Sequence, residues 1–198
     1  MKYQTCSACS LGGAALLSGV LAHAFPIAPL GTEGYVVIAN AVDPITVTYE
    51  GNSAAYSNDL YLERNALGNP GLDGDGSNDH FIFNNHASVV GSSLALDAFA
   101  PGTELVFRLF VHDTGYSYCS GPGTRNPDGL PHARVQDNWE PLTTLVSFED
   151  LFGTPEYPGG YNDLSFSFTN TRAAVPEPAA TGVPLKPRAE ETVGADGW

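Results

Sequence analysis

The chain is poor in positive charge. Its 8 Lys+Arg stand against 22 Asp+Glu, a formal net charge of −14. That balance excludes nucleic acid as a partner, because phosphates demand a basic face. It equally excludes electrostatic docking onto an anionic membrane surface. Cysteine is scarce, three in all, and Cys6 and Cys9 both lie close to the N-terminus. Sustained helical spacing is missing from every window of eleven or more residues. A helical turn at Glu149–Phe152 is the most the pattern allows. The chain has no G-x-S-x-G elbow, no P-loop and no dinucleotide fingerprint. His80, His86, His112 and His132 lack the spacing of a zinc site.

What the chain does have is short alternating runs. It is 42% hydrophobic and only 15% charged, with 22 Gly and 15 Pro to punctuate it. Its length suits one domain with a core able to fold unaided. Ile45–Glu50 alternates Ile45, Val47 and Tyr49 with Thr46, Thr48 and Glu50. Leu164, Phe166 and Phe168 alternate with Ser165, Ser167 and Thr169, as in a half-buried strand. Glu104–His112 is apolar on one face and mixed on the other, the pattern of a central strand covered on both sides at one end. Further strands are expected at Tyr35–Ala39, Asp59–Leu62, His80–Asn84, Ser92–Leu96, Ala133–Gln136 and Thr143–Phe148. Turn clusters separate them, among them Gly68-Asn69-Pro70-Gly71 and Gly121-Pro122-Gly123. The expected fold is all-β, an antiparallel, jelly-roll-like β-sandwich over residues 25–172. Residues 173–198 are Pro/Ala/Glu-rich without a strand pattern and are expected to be a disordered tail.

Residues 1–24 read as a signal peptide. Lys2 supplies the positive start, Leu11–Leu21 the apolar stretch, and Ala22-His23-Ala24 the small-x-small cleavage site. The apolar stretch is too short for a permanent membrane span, so no transmembrane anchor is expected. Cleavage before Phe25 would remove Lys2 alone among charged residues, leaving 7 cations against 22 acids, net −15. It would also remove Cys6 and Cys9, leaving Cys119 without a disulfide partner.

The acidic residues concentrate in Phe148–Leu164, FEDLFGTPEYPGGYNDL, between two strand patterns. Calcium takes six to eight oxygen ligands, and this loop offers Glu149, Asp150, Glu156, Asn162 and Asp163. Neighbours on a regular strand point to opposite faces, so Glu149 and Asp150 can share an ion only where the backbone leaves the strand. The same holds for Asn162 and Asp163. Carboxylates converging there would repel, raising one pKa, unless a divalent cation neutralises them. A glycosidase pair of Glu149 with Asp163 is chemically conceivable, yet nothing in the sequence singles it out.

Asp73, Asp75 and Asp79 form a second acidic loop, the residues 73–79. It resembles the first half of an EF-hand loop, but Asn78 stands where Gly is required and Asn84 where the closing Glu is required. A looser Asp-rich metal loop is the remaining metal reading. Asp128, in the turn Asn126-Pro127-Asp128-Gly129, is a further acid that could approach the main site. Tyr116, Trp139 and Tyr161 lie in or beside loops and could form a platform for sugar rings.

Val146-Ser147-Phe148-Glu149-Asp150-Leu151 followed by Tyr161-Asn162-Asp163-Leu164 resembles the C-terminal signature of an exported bacterial β-sandwich domain of unknown function. The segments GTELVFRLFVHDTG, RNPDGLPHARV and IFNN are similar to its PEP-CTERM-associated branch, and Val175-Pro176-Glu177-Pro178 resembles the sorting motif. The resemblance implies a secreted, non-enzymatic calcium-binding β-sandwich of the cell surface or biofilm matrix. Glu149, Asp150, Asn162 and Asp163 inherit the ligand role. An extracellular polysaccharide or matrix protein is the implied partner, and a calcium-dependent carbohydrate-binding module is the alternative. Two departures stand out. Pro158, Gly159 and Gly160 replace acids that usually precede the Tyr, which implies either a weakened site or Glu156 as the substitute. The sorting motif runs on into PLKPRAEETVGADGW rather than an apolar stretch and a basic end, so release from the cell is expected.

Overall fold

Thr143–Phe148 hydrogen-bonds in antiparallel register to Leu164–Thr169, and the rest of the molecule builds outward from this pair. The computed structural model describes residues 25–153 and 160–176. Twelve strands occur among them: β1 Val36–Ala39, β2 Thr46–Asn52, β3 Asn58–Leu62, β4 His80–Asn84, β5 Ser93–Ala95, β6 Glu104–Leu105, β7 Phe107–Val111, β8 Ser117–Cys119, β9 Ala133–Glu140, β10 Thr143–Phe148, β11 Leu164–Thr169 and β12 Thr171–Ala174. They form a five-stranded sheet β5-β2-β11-β10-β9, a four-stranded sheet β4-β3-β7-β8 and a three-stranded sheet β12-β1-β6. Every pairing is antiparallel. Two single-turn 3-10 segments, Gly76–Asn78 and Gly123–Arg125, are the only helical elements described.

Alternation explains the sandwich. Val47 and Tyr49 of β2, Phe166 and Phe168 of β11, and Val146 and Phe148 of β10 face one interior. Leu60 and Leu62 of β3 and Phe107 and Leu109 of β7 face it from the other side. Phe107 stacks on Phe168 with ring centroids 4.0 Å apart, joining the two larger sheets. Truncating such a ring to Ala costs about 3–5 kcal/mol.

Three expectations are corrected by the sheets. The Glu104–His112 run is not one strand. It breaks at Val106, whose carbonyl accepts the Glu63 N–H, so β6 pairs with β1 while β7 pairs with β3 and β8. The chain changes sheets there. β11 is not half-buried either, because Ser165 and Ser167 on its outer face are also covered. Ser165 shares a hydrogen bond with Ser147, which also accepts the Ala28 N–H, and Ser167 donates to Glu50. The folded region runs past residue 172, since β12 continues to Ala174 and pairs with β1. The helical turn that the pattern allows at Glu149–Phe152 does not form; Glu149 and Asp150 are irregular and residues 151–153 are bends. The expected signal peptide, and the tail from residue 177 on, lie outside the described residues. Among the described residues, no helix is long and apolar enough to cross a membrane.

Candidate metal centre

Phe148 closes β10 opposite Leu164, which opens β11. Glu149 and Asp150 therefore leave one strand at the point where Asp163 enters the next. The strands stop where the acids begin, which frees adjacent acids from opposite-face geometry. The Asp163 N–H donates to the Phe148 carbonyl at 3.1 Å and ends the ladder. The Asp150 N–H donates to Asp163 Oδ2 at 2.7 Å. Glu149 accepts from the Leu151 N–H through Oε1 and from the Tyr161 N–H through Oε2, both at 3.2 Å. Tyr161 reaches that position with φ of 60°, a left-handed conformation that costs an aromatic residue about 1–2 kcal/mol. The hairpin mouth is thus held by the acids themselves.

Glu149, Asp150 and Asp163 are all buried, and one oxygen from each lies within 4.8 Å of the others. At an effective dielectric of 20, two full charges at that distance repel by about 3–4 kcal/mol. Burial, reinforced by the Asp150 charge and then by Glu149, pushes Asp163 up to about 8, although the Asp150 N–H works the other way. A proton shared by the cluster would relieve that repulsion. A divalent cation is the alternative relief. Three buried carboxylates this close together could hold a metal ion.

A cleft of 240 Å³ opens onto the cluster, lined by Ser53, Ala55, Tyr56, Asp150, Leu151, Asn162 and Asp163. Ser53, just past β2, clasps the far side. Its N–H donates to the carbonyls of Asn162 and Asp163, and its hydroxyl donates to the Asn162 carbonyl. Asn162 lines the cleft, and its amide nitrogen donates to Ser53 Oγ at 2.8 Å. Asn58, the first residue of β3, crosses from the opposite sheet. Its amide nitrogen donates to Asp150 Oδ2 at 2.7 Å. Sequence spacing gave no sign of Asn58, because the contact joins residues 92 apart.

The turn carrying Asp128 also reaches the centre. The buried His132 ring presents Nδ1 to the Glu149 carbonyl at 3.0 Å, where it can only donate, and Nε2 to Asp128 Oδ2 at 2.8 Å. The Gly153 N–H also donates to Asp128 Oδ2. Burial opposes ionisation of Asp128, but the Gly153 N–H, the His132 ring and the Leu130 N–H hold it below the usual carboxylate range. Tyr118 stacks on His132 with centroids 3.7 Å apart. Asp128 and His132 thus lock the chain on both sides of Asp150, and the turn chemistry of Asn126-Pro127-Asp128-Gly129 was their only local signal.

The remaining candidates fare differently. Glu156 lies outside the described residues. Asp73, Asp75 and Asp79 do not converge on a common point: among the described residues the one grouping of this kind is Glu149, Asp150 and Asp163. Asp73 accepts the Asp75 N–H, and Asp75 caps the 3-10 turn by accepting the Ser77 N–H. Asp79 turns inward to Arg108, with 2.6 Å between Oδ2 and Nη2, and Arg108 also bridges to Glu63 at 2.5 Å. Those acids serve an ion triad and a turn. Tyr116, Trp139 and Tyr161 do not assemble a platform. Tyr161 is buried, with Arg134 4.4 Å over its ring and its hydroxyl on the Pro131 carbonyl. Tyr116 is partly exposed and pairs with Phe152 at 5.0 Å. No ring contact joins Trp139 to either among the described residues. Comparison of the chain with protein-family models, with curated proteins and with solved structures finds no match.

Proposed function

We propose that this chain is an extracellular, non-catalytic β-sandwich whose β10–β11 hairpin mouth is a structural calcium site, serving in a cell-surface or biofilm matrix. The observation that carries the reading is the burial of three carboxylates within 4.8 Å of one another, one of them pushed up to about 8. Glu149, Asp150 and Asp163 would hold the ion, with Asn162 beside them on the cleft wall. Calcium would supply the charge that lets all three acids ionise together.

The protein's own residues do the rest. Asp163 fixes the Asp150 backbone, Glu149 fixes Leu151 and Tyr161, and Asn58 ties Asp150 to the opposite sheet. Their oxygens are spent on the backbone of the hairpin, which supports a stiffening role over a chemical one. An extracellular setting supports calcium in particular, since modules there bind with dissociation constants of about 10⁻⁴–10⁻³ M and fill only outside the cell.

Thermal melting tests the reading. At about 10 mM calcium, such affinities raise stability by ~1.4–2.7 kcal/mol and the melting temperature by ~3–10 °C. Asp150→Asn abolishes the rise. An identical melting temperature in calcium and in chelator would overturn the proposal.

A further inference from the structure

Asn58 is buried completely, and nearly every polar atom it owns is committed. Its N–H donates to Asn85 Oδ1 at 2.8 Å, and its carbonyl accepts from the Asn85 N–H and the Asn84 amide. Its side-chain nitrogen donates to Asp150 Oδ2 at 2.7 Å and to the Tyr56 carbonyl at 3.4 Å. Oδ1 alone is buried without a hydrogen-bond partner. An amide oxygen carries lone pairs and no proton, so it needs a donor or a cation. Rotating the amide to exchange nitrogen and oxygen does not help. The oxygen would then face Asp150 Oδ2 and the Tyr56 carbonyl, both acceptors.

Covalent geometry places this oxygen. With C=O and C–N bonds of about 1.23 and 1.33 Å, Oδ1 lies about 2.2 Å from Nδ2. The nitrogen is 2.7 Å from Asp150 Oδ2, so Oδ1 is within about 5 Å of that carboxylate oxygen. Two oxygens of one calcium shell can be that far apart. The orphan oxygen therefore stands at the edge of the acidic cluster, on the face that belongs to the opposite sheet.

We infer that Asn58 Oδ1 is a fourth, neutral ligand of the cation held by Glu149, Asp150 and Asp163. The inference rests on the calcium reading above and extends it. The ion then spans the sandwich, taking carboxylates from the ends of β10 and β11 and an amide oxygen from the start of β3. Occupancy pins the two larger sheets together at this end, where the Asn58–Asp150 hydrogen bond also joins them.

Terbium, which replaces calcium in oxygen sites, tests the assignment. Luminescence lifetimes of the folded domain in H₂O and D₂O count the waters on the bound ion. Asn58→Ala is expected to carry one more water than the native chain and to bind on the order of tenfold more weakly. Asn58→Asp retains an oxygen at the Oδ1 position, so it is expected to keep the native water count, while its second oxygen gives up the donor to Asp150. An unchanged water count in Asn58→Ala overturns the assignment and leaves Asn58 as a prop for Asp150. If Asn58→Ala fails to fold, an added water in Asn58→Asp overturns it. Absence of terbium binding to the native chain overturns the calcium reading itself and this inference with it.

Discussion

Replacing Asp163 by Asn separates the two demands on this residue. Asparagine keeps an oxygen for the Asp150 N–H, now 2.7 Å from Asp163 Oδ2, but carries no charge. In the metal-free domain, burial and then the Asp150 charge push Asp163 from 3.8 up to about 8. The folded chain therefore holds a proton that the unfolded chain releases. Stability from this group is fully present below the unfolded pKa near 4 and is lost as pH rises through about 8. At about 1.36 kcal/mol per pKa unit the whole swing is on the order of 5 kcal/mol, and relaxation of the site makes ~2–4 kcal/mol the expected range. Urea unfolding in chelator at pH 5 and pH 9 reads it out. Asp163→Asn should come close to the native chain at pH 5, about one unit above the unfolded pKa, and exceed it by ~2–4 kcal/mol at pH 9. In about 10 mM calcium the gap narrows, because the native chain gains ~1.4–2.7 kcal/mol and the variant gains nothing. A variant less stable than the native chain in chelator at pH 9, or one still stabilised by calcium, would refute the reasoning.

Two further outcomes follow from the rest of the fold. Arg108→Met leaves Glu63 and Asp79 buried without their cation and should cost about 3–5 kcal/mol at pH 8. The loss should shrink at pH 5, because burial and then Asp79 already push Glu63 up to about 7, so it protonates there; urea unfolding at the two pH values measures both. Cys119 is buried and pushed up to about 12, by burial first and then by the Glu63 charge. A thiol reagent at pH 8 should therefore label the native chain only as fast as it unfolds, and rapid native labelling would show an open thiol.

The strand pattern was the most legible part of the sequence, because alternation is a local signal. His80–Asn84 and Thr143–Phe148 carry the expected bounds. Glu149, Asp150 and Asp163 were legible for a related reason: a hairpin returns the chain to where it left, so acids at its two ends must meet. Features set by contacts across the sandwich were not. Asn58 reads as an ordinary residue before a strand until Asp150 is placed beside it. Asp79 reads as a metal ligand in a Gly/Asp loop until Arg108, 29 residues on, supplies its charge partner. Tyr161 reads as an exposed loop ring until Arg134 covers it. β12 has only Thr171-Arg172-Ala173-Ala174 to announce it and is a strand because β1 needs a neighbour. The break at Val106 is invisible to periodicity, since a chain that changes sheets can keep its alternation.

The central claim, that the hairpin mouth holds calcium, is tested most directly by calorimetric titration of the metal-free domain at pH 7. The expected result is one ion per chain with a dissociation constant of about 10⁻⁴–10⁻³ M. The heat should vary with the ionisation enthalpy of the buffer, because Asp163 must shed its proton to bind. No binding heat up to about 10 mM calcium, well above that affinity range, would contradict the account.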